Sequence, residues 1–371
     1  MKYTLDINTE RTISEHVLRY SATLLDSNHY LVEGFSKSDN KYKVLLKLPL
    51  GLHELMFDDA KITVEYKLDE KCLQNSGVRV YYLQLASDNS LEHVYNFLEK
   101  CRIHSLNYKS DKVTCRVMKK GFWSELSSLP KRNIESVILN NNDRDDIMDD
   151  ITRFIDSEEE YLEKGIPYKR NYLLEGLPGT GKTSLIFAIA SHLDMDLCII
   201  NFSNHLDDIN FMDAVSNMND KSILVLEDID CVFGGRNGET VKTGISFGGI
   251  LNVLDGIGRK HKLITFMTTN YIKTLDEALL RAGRIDYKLN FDYSNVAQTK
   301  HLYNKLINNI KEGDCNLFIE KIHNYKYTPA ILQKYLFKHR DNSIEKILKD
   351  ITEFANMCNE HNDRTSGVLY M

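Results

Sequence analysis

The sequence predicts an α/β protein: a central parallel sheet covered by helices on both faces, preceded by an α+β domain and followed by a helical one. Three observations carry this. In the middle of the chain, apolar strand-like runs alternate with amphipathic helical ones (NYLLEG, KTSLIFAIASHL, LCIINF, DAVSNM, SILVLEDID, GGILNVLDGI, LITFMTTN), the pattern of a parallel sheet buried on both sides. Before it lie segments rich in Val, Tyr and Leu in partial alternation, and after about Ser294 the chain turns Lys-rich and helical.

In chain order, KYKVLLKLPLGLHELMF, KITVEYKL and VRVYYLQLAS read as strands. LEHVYNFLEKCRIH places Leu91, Val94, Tyr95, Leu98 and Cys101 at helical spacing, and KVTCRVM reads as a further strand. Leu126 to Asn142 (LSSLPKRNIESVILNNN) is polar, contains Pro130 and reads as a linker. RDDIMDDITRFIDSEEEYLEK is helical through Ile147, Ile151, Phe154 and Ile155, and stops at Gly165 and Pro167. The final third, with TKHLYNKLINNI, LQKYLFKH and IEKILKDITEFANM, is helical. The expected domains are 1–128, 129–293 and 294–371.

Composition narrows the function classes. The 371 residues are 42% hydrophobic and 27% charged, with a formal net charge of −6, so there is no basic footprint for nucleic acid or an anionic membrane. The 7 cysteines (Cys72, Cys101, Cys115, Cys198, Cys231, Cys315, Cys358) lie far apart, without CxxC or HExxH, which argues against a disulfide framework or zinc site. The start, MKYTLDINTERTISEH, has neither the apolar core of a signal peptide nor an acid-poor transit character. No run approaches the ~18 apolar residues of a membrane span. A soluble, intracellular and cytoplasmic protein without a transmembrane segment is expected, with mitochondria disfavoured.

The chemistry begins at GLPGTGKT, where Gly176, Leu177, Pro178, Gly179, Thr180, Gly181, Lys182 and Thr183, followed by Ser184, stand between a strand and a helix. Such a loop curls backbone N–H groups around phosphate oxygens at a helix N-terminus. Its lysine reaches the β- and γ-phosphates, and its Thr hydroxyl ligates Mg²⁺. ATP and Mg²⁺ are therefore the expected ligands. SILVLEDID ends a buried strand in Glu227 and Asp228, at the carboxyl edge where ligands bind in open α/β sheets. One carboxylate can hold Mg²⁺, usually through water, while its neighbour orients or deprotonates an attacking water. LITFMTTN ends in Asn270, a neutral group that can position this water, on a strand expected between the other two. LDEALLRAGRID offers Arg281 and Arg284 three residues apart, on a helix end from which they could reach a neighbouring subunit's γ-phosphate.

With these four elements in order, the chain resembles the AAA ATPases, ring-forming P-loop machines. It is similar in particular to the subfamily of the mitochondrial chaperone that inserts the Rieske iron–sulfur protein into respiratory complex III. GIPYKRNYLLEG, LEDID, ISFGGILNVLDGI, ITFMTTN and GRIDYKL carry that likeness, which extends upstream through LPKRNIESVIL. The resemblance implies an AAA core with a C-terminal helical lid, a homo-oligomeric ring, Arg281 and Arg284 as arginine fingers, and Asn270 as a sensor. It also implies a Glu–Asp order for the acidic pair, with Glu227 on the magnesium side beside Thr183, and Asp228 as the base. The implied function is an Mg²⁺-dependent ATP hydrolase acting as a chaperone or protein-complex remodeller, its client held or gated by residues 1–128. A nucleotide-gated scaffold with little hydrolysis and a nucleic-acid remodeller are the alternatives.

Departures from the family pattern are specific. Leu177 and Ala282 each stand where proline is usual, and no counterpart of the mitochondrial members' transmembrane helix is expected. NFSNHLDDINF has no aromatic–apolar–Gly triplet to grip extended polypeptide. Phe211 could substitute, or pack inside a helix.

Overall fold

A computed structural model describes residues 3–8, 12–25, 31–38, 41–68, 70, 81–106, 111–119, 122–139, 142–200, 202, 207–232, 244–255, 261–281 and 283–369. Ala282, Cys72 and most of the 201–207 stretch lie outside these. The chain divides into two compact units, Met1–Asp111 and Lys112–Met371.

In the first unit, β1 (Tyr3–Asn8), β4 (Gly51–Phe57), β5 (Ala60–Leu68) and β6 (Tyr81–Ser87) form an antiparallel sheet of order β1-β6-β5-β4. β2 (Leu31–Ser38) and β3 (Lys41–Lys47) make a separate hairpin. Alternation sends Leu55 and Phe57, Ile62 and Val64, and Leu83 and Leu85 to one face. There they pack on α1 (Thr12–Leu24) through Val17 and Leu18, and on α2 (Leu91–Leu106) through Val94 and Phe97.

The second unit is built on a seven-stranded sheet of order β13-β9-β12-β11-β10-β7-β8. Its strands are β7 (Lys112–Lys119), β8 (Phe122–Pro130), β9 (Lys169–Gly176), β10 (Asp196–Ile200), β11 (Ser222–Leu226), β12 (Leu263–Thr269) and β13 (Tyr287–Phe291). All neighbours pair in parallel except β7 and β8. The first compact unit ends at Asp111, whereas the sequence places the first boundary at residue 128. β7 adds to β10, and β8 folds back on β7 as the edge strand. Leu126 to Pro130, read as linker, is the second half of β8. Proline is tolerated there because it ends an edge strand.

Period-two alternation makes both faces of this sheet apolar. Tyr172, Leu174, Ile223, Val225, Ile264 and Phe266 face α3 (Asp143–Asp156) and α5 (Lys182–Leu193). Leu173, Leu224, Leu226, Leu263 and Met267 face α6 (Asp208–Ser216) and α7 (Phe247–Asp255). The helical run after α3 breaks at Ser157 and resumes as the short α4 (Glu158–Glu163). Because β12 lies between β9 and β11, the carboxyl ends carrying Gly176, Asn270 and Glu227 come side by side.

The chain ends in α8 (Val296–Leu306), α9 (Asp314–Ile322), α10 (Pro329–Lys338), α11 (Ile344–Lys349) and α12 (Ile351–Leu369). Tyr303, Phe318, Leu332, Tyr335 and Phe354 form a core of their own. A capping box starts α8, Asn295 accepting from Gln298 N and Gln298 Oε1 accepting from Asn295 N.

Candidate active site

β9 delivers the chain into the loop at Gly176, whose φ is +136°. A Cβ there would lie 1.9 Å from the Phe291 carbonyl oxygen of β13, so sheet pairing itself demands glycine. Gly181, at φ +109°, starts α5, and nothing stands within 4 Å of where its Cβ would be. The first residues of α5, Lys182, Thr183 and Ser184, line the site's cleft, at the helix end where unpaired amides can bind an anion. On its other side the loop touches α10: Ala330 N donates to Gly179 O at 3.1 Å.

Lys182 is only 8% exposed. Its Nζ donates to Gly176 O (2.7 Å), Leu177 O (3.0 Å) and Asn270 Oδ1 (2.8 Å). Burial pushes this ammonium down to about 8, against the pull of Asp228 and Asp230. A desolvated cation held only by neutral oxygens is one that an anionic oxygen can engage more strongly.

The carboxylates close the opposite wall. Thr183 Oγ1 donates to Glu227 Oε1 at 2.9 Å. Asp228 sits in the left-handed region, φ +49°, stabilised as its N–H donates to Thr268 Oγ1 at 2.9 Å. Its Oδ1 accepts from Asn270 Nδ2 at 2.9 Å. One amide thus spans Lys182 and Asp228. A cleft of about 270 Å³ lies between the loop, these carboxylates, Thr268 and Asn270. Thr183, Glu227 and Asp228 offer only oxygen donors, the set Mg²⁺ takes. Among the described residues no group of three or more His, Cys, Asp or Glu could hold a metal.

The arginines lie apart from this cleft. The segment is a series of turns rather than the expected helix end. Arg281 is exposed. Arg284 is held as a fork: Nε and Nη2 donate to Asp255 Oδ1 (3.0 Å) and Oδ2 (3.1 Å), and Nη1 to Ala278 O (2.8 Å). Hydrogen bonding from Arg284 lowers the Asp255 carboxyl below its ordinary value. Lys169 Nζ ties the same turn to the sheet through Gly283 O (2.8 Å) and Leu254 O. Phe211 is fully buried in the core beneath α6, so its ring grips nothing outside.

Residues 172–293 match the model of the ATPase family associated with various cellular activities (AAA). Over 367 residues the chain is 30% identical to the probable mitochondrial chaperone BCS1-A of Dictyostelium discoideum, covering 94% of this chain and 87% of that protein. The chain belongs to the BCS1 subfamily of AAA ATPases. Human mitochondrial chaperone BCS1 is 30% identical over 279 residues, covering 72% of this chain and 66% of its own. The probable mitochondrial chaperone of Schizosaccharomyces pombe is 39% identical over 179 residues, covering 47% and 40%.

As a member of this subfamily, the protein is an ATP hydrolase of the chaperone type. The expected cytoplasmic location does not stand: these relatives are named mitochondrial chaperones, which points to mitochondria. Among the described residues no helix is long and apolar enough to cross a membrane.

Three polar residues of this BCS1-type site escaped the sequence reading: Thr268, Thr269 and Asp230. Thr269 Oγ1 donates to Asp230 Oδ1 at 2.9 Å, and Asn270 N donates to the same oxygen at 3.3 Å. The signal available was the second aspartate of LEDID and the paired threonines of MTTN, polar groups on otherwise apolar strands.

Proposed function

We propose that the chain works as a ring-forming, Mg²⁺-dependent ATPase that binds and releases a protein partner. The observation carrying this is the bond chain Lys182–Asn270–Asp228 beside the Thr183–Glu227 pair, which supports a reading of Lys182 as the phosphate-binding group and Asp228 as the base of one cleft.

The triphosphate takes the place of the Gly176 and Leu177 carbonyls at Lys182 Nζ, and the α5 amides bind its β-phosphate. Thr183 and Glu227 hold the metal side. Bound Mg²⁺ neutralises phosphate charge and fixes the reacting geometry. Asp228 accepts the proton of the attacking water as its oxygen bonds to the γ-phosphorus. The bond to the β-bridging oxygen breaks, and ADP and phosphate leave. Asn270 orients that water through the amide that now faces Asp228. Arg281, exposed on its turn, is supplied to the neighbour's γ-phosphate, where such a group is typically worth ~10³–10⁵ in rate. Arg284, forked on Asp255, holds the turn that presents it. Loss of the γ-phosphate shifts the loop, and the Gly179–Ala330 bond passes this to the C-terminal helices.

Residues 1–111 hold or gate the client. A client that is not threaded as an extended chain suits the buried Phe211 and the missing grip triplet. The acidic charge balance supports a protein partner rather than nucleic acid.

Lys182→Ala is expected to abolish nucleotide binding, and unchanged affinity in a direct titration would sink the loop assignment. Asp228→Asn should keep ATP bound and stop hydrolysis, while Glu227→Gln should first weaken the Mg²⁺ dependence. The reverse pattern exchanges the two carboxylates' roles.

A further inference from the structure

Asp230 has no part in the chemistry outlined above, yet it is among the most buried acids of the site. It is 6% exposed and forms no ion pair among the described residues. A carboxylate in that setting is costly unless its oxygens are well used. Both of its hydrogen bonds go to the residues that end β12: Thr269 through its hydroxyl, and Asn270 through its backbone N–H. The Thr269 hydroxyl also accepts Tyr271 N–H at 3.1 Å, which leaves its proton committed to the carboxylate. From the β11 side, Asp228 N bonds Thr268 Oγ1 and Asp228 Oδ1 bonds the Asn270 amide. The turn after β11 and the tip of β12 are thus pinned at successive residues.

Resting on the hydrolytic reading of this cleft, we infer that Asp230 is a positioning residue for ATP hydrolysis. Through Thr269 and the Asn270 main chain it fixes where the Asn270 amide stands between Lys182 and Asp228. Without it, the β12 tip loses two anchors, and the amide that must orient a water shifts by a fraction of an ångström to an ångström, enough to slow a step of tight geometry. Nucleotide affinity rests on the loop amides and Lys182, to which Asp230 contributes only its charge, so affinity is compared at pH 7, below the range in which that lysine loses its proton.

The test uses the full chain with Asp230→Ala, Asp230→Asn, Thr269→Val and Thr269→Ser. Each is measured for steady-state phosphate release and, by titration, for the Kd of a non-hydrolysable ATP analogue. Asp230→Ala and Thr269→Val should lower kcat by roughly 10–100-fold with Kd nearly constant. The double variant should lose little more than the worse single one, because both sever the Thr269–Asp230 bond. Asp230→Asn, which keeps an accepting oxygen, and Thr269→Ser, which keeps the hydroxyl, should each recover most of the rate. Unchanged kcat in Thr269→Val overturns the inference, as does an Asp230→Asn rate as low as that of Asp230→Ala. Should Asp230→Ala fail to fold, the near-isosteric Thr269→Val decides alone. A failure here leaves analogue binding intact, whereas failure of the ATPase reading shows as Lys182→Ala retaining affinity.

Discussion

Lys182 shows how one side chain is tuned by burial. In the free site its ammonium is held near 8 instead of the usual 10.5, because desolvation outweighs the nearby carboxylates. Phosphate binding needs the charged form, so above about pH 8 each ligand bound must bring back a proton. Affinity for a non-hydrolysable ATP analogue is therefore expected to fall by about tenfold per pH unit above about 8, and to be nearly level from pH 7 to 8. Titration across that range checks it; a level profile at high pH means the lysine stays charged. Gly176 is a second residue with a single tolerated identity. Its φ of +136° and the Phe291 oxygen 1.9 Å from a Cβ mean that Gly176→Ala must part β9 from β13. A loss of about 2–5 kcal/mol is expected from strain plus overpacking, readable in chemical denaturation.

At the scale of elements, what could be read in the sequence was what local pattern encodes. The strands from β9 to β12 are apolar on both faces, so their runs stand out, and the site residues sit at their ends by a rule of parallel sheets. Asn270, Lys182, Thr183, Glu227 and Asp228 come together accordingly. What stayed hidden was decided by distant pairing. β7 looks like a strand of any α+β domain and half of β8 reads as linker, and only the parallel pairing of Leu197 with Cys115 assigns them to the large sheet. The arginine segment has helical spacing, yet Asp255 and Lys169, far away in sequence, hold it as turns. Asp255→Ala, which frees the Arg284 fork, is expected to lower turnover on the order of tenfold by misplacing Arg281, with analogue affinity kept. Equal turnover would show that the fork does not present Arg281. The start of α7 depends on a similar distant partner. Asp208 accepts from Ser246 N (2.7 Å) and Oγ (2.6 Å), and a Cβ on Gly249 would fall 2.2 Å from its Oδ1. Gly249→Ala should displace this cap and lower stability by about 1–2 kcal/mol, measured by thermal melting.

For the whole molecule, the proposed ring turns on where the arginines stand relative to the cleft. The loop, the acidic pair and Asn270 line the cleft, but Arg281 is exposed on a turn elsewhere and Arg284 is engaged with Asp255. If chains assemble in a ring, the cation missing from each cleft comes from the next subunit, and activity belongs to pairs rather than to single chains. Lys182→Ala chains should be inactive because they bind no nucleotide, yet they still carry Arg281. Arg281→Ala chains should bind ATP and hydrolyse it slowly, yet they still carry an intact cleft. Co-assembled, some interfaces place an intact cleft against an intact Arg281. Phosphate release from a co-refolded mixture should then clearly exceed the sum of the two separate variants. The gain should vanish on dilution below the assembly threshold, followed by light scattering in the same samples. A mixture no faster than that sum, with assembly verified, would mean that Arg281 does not act across a subunit boundary.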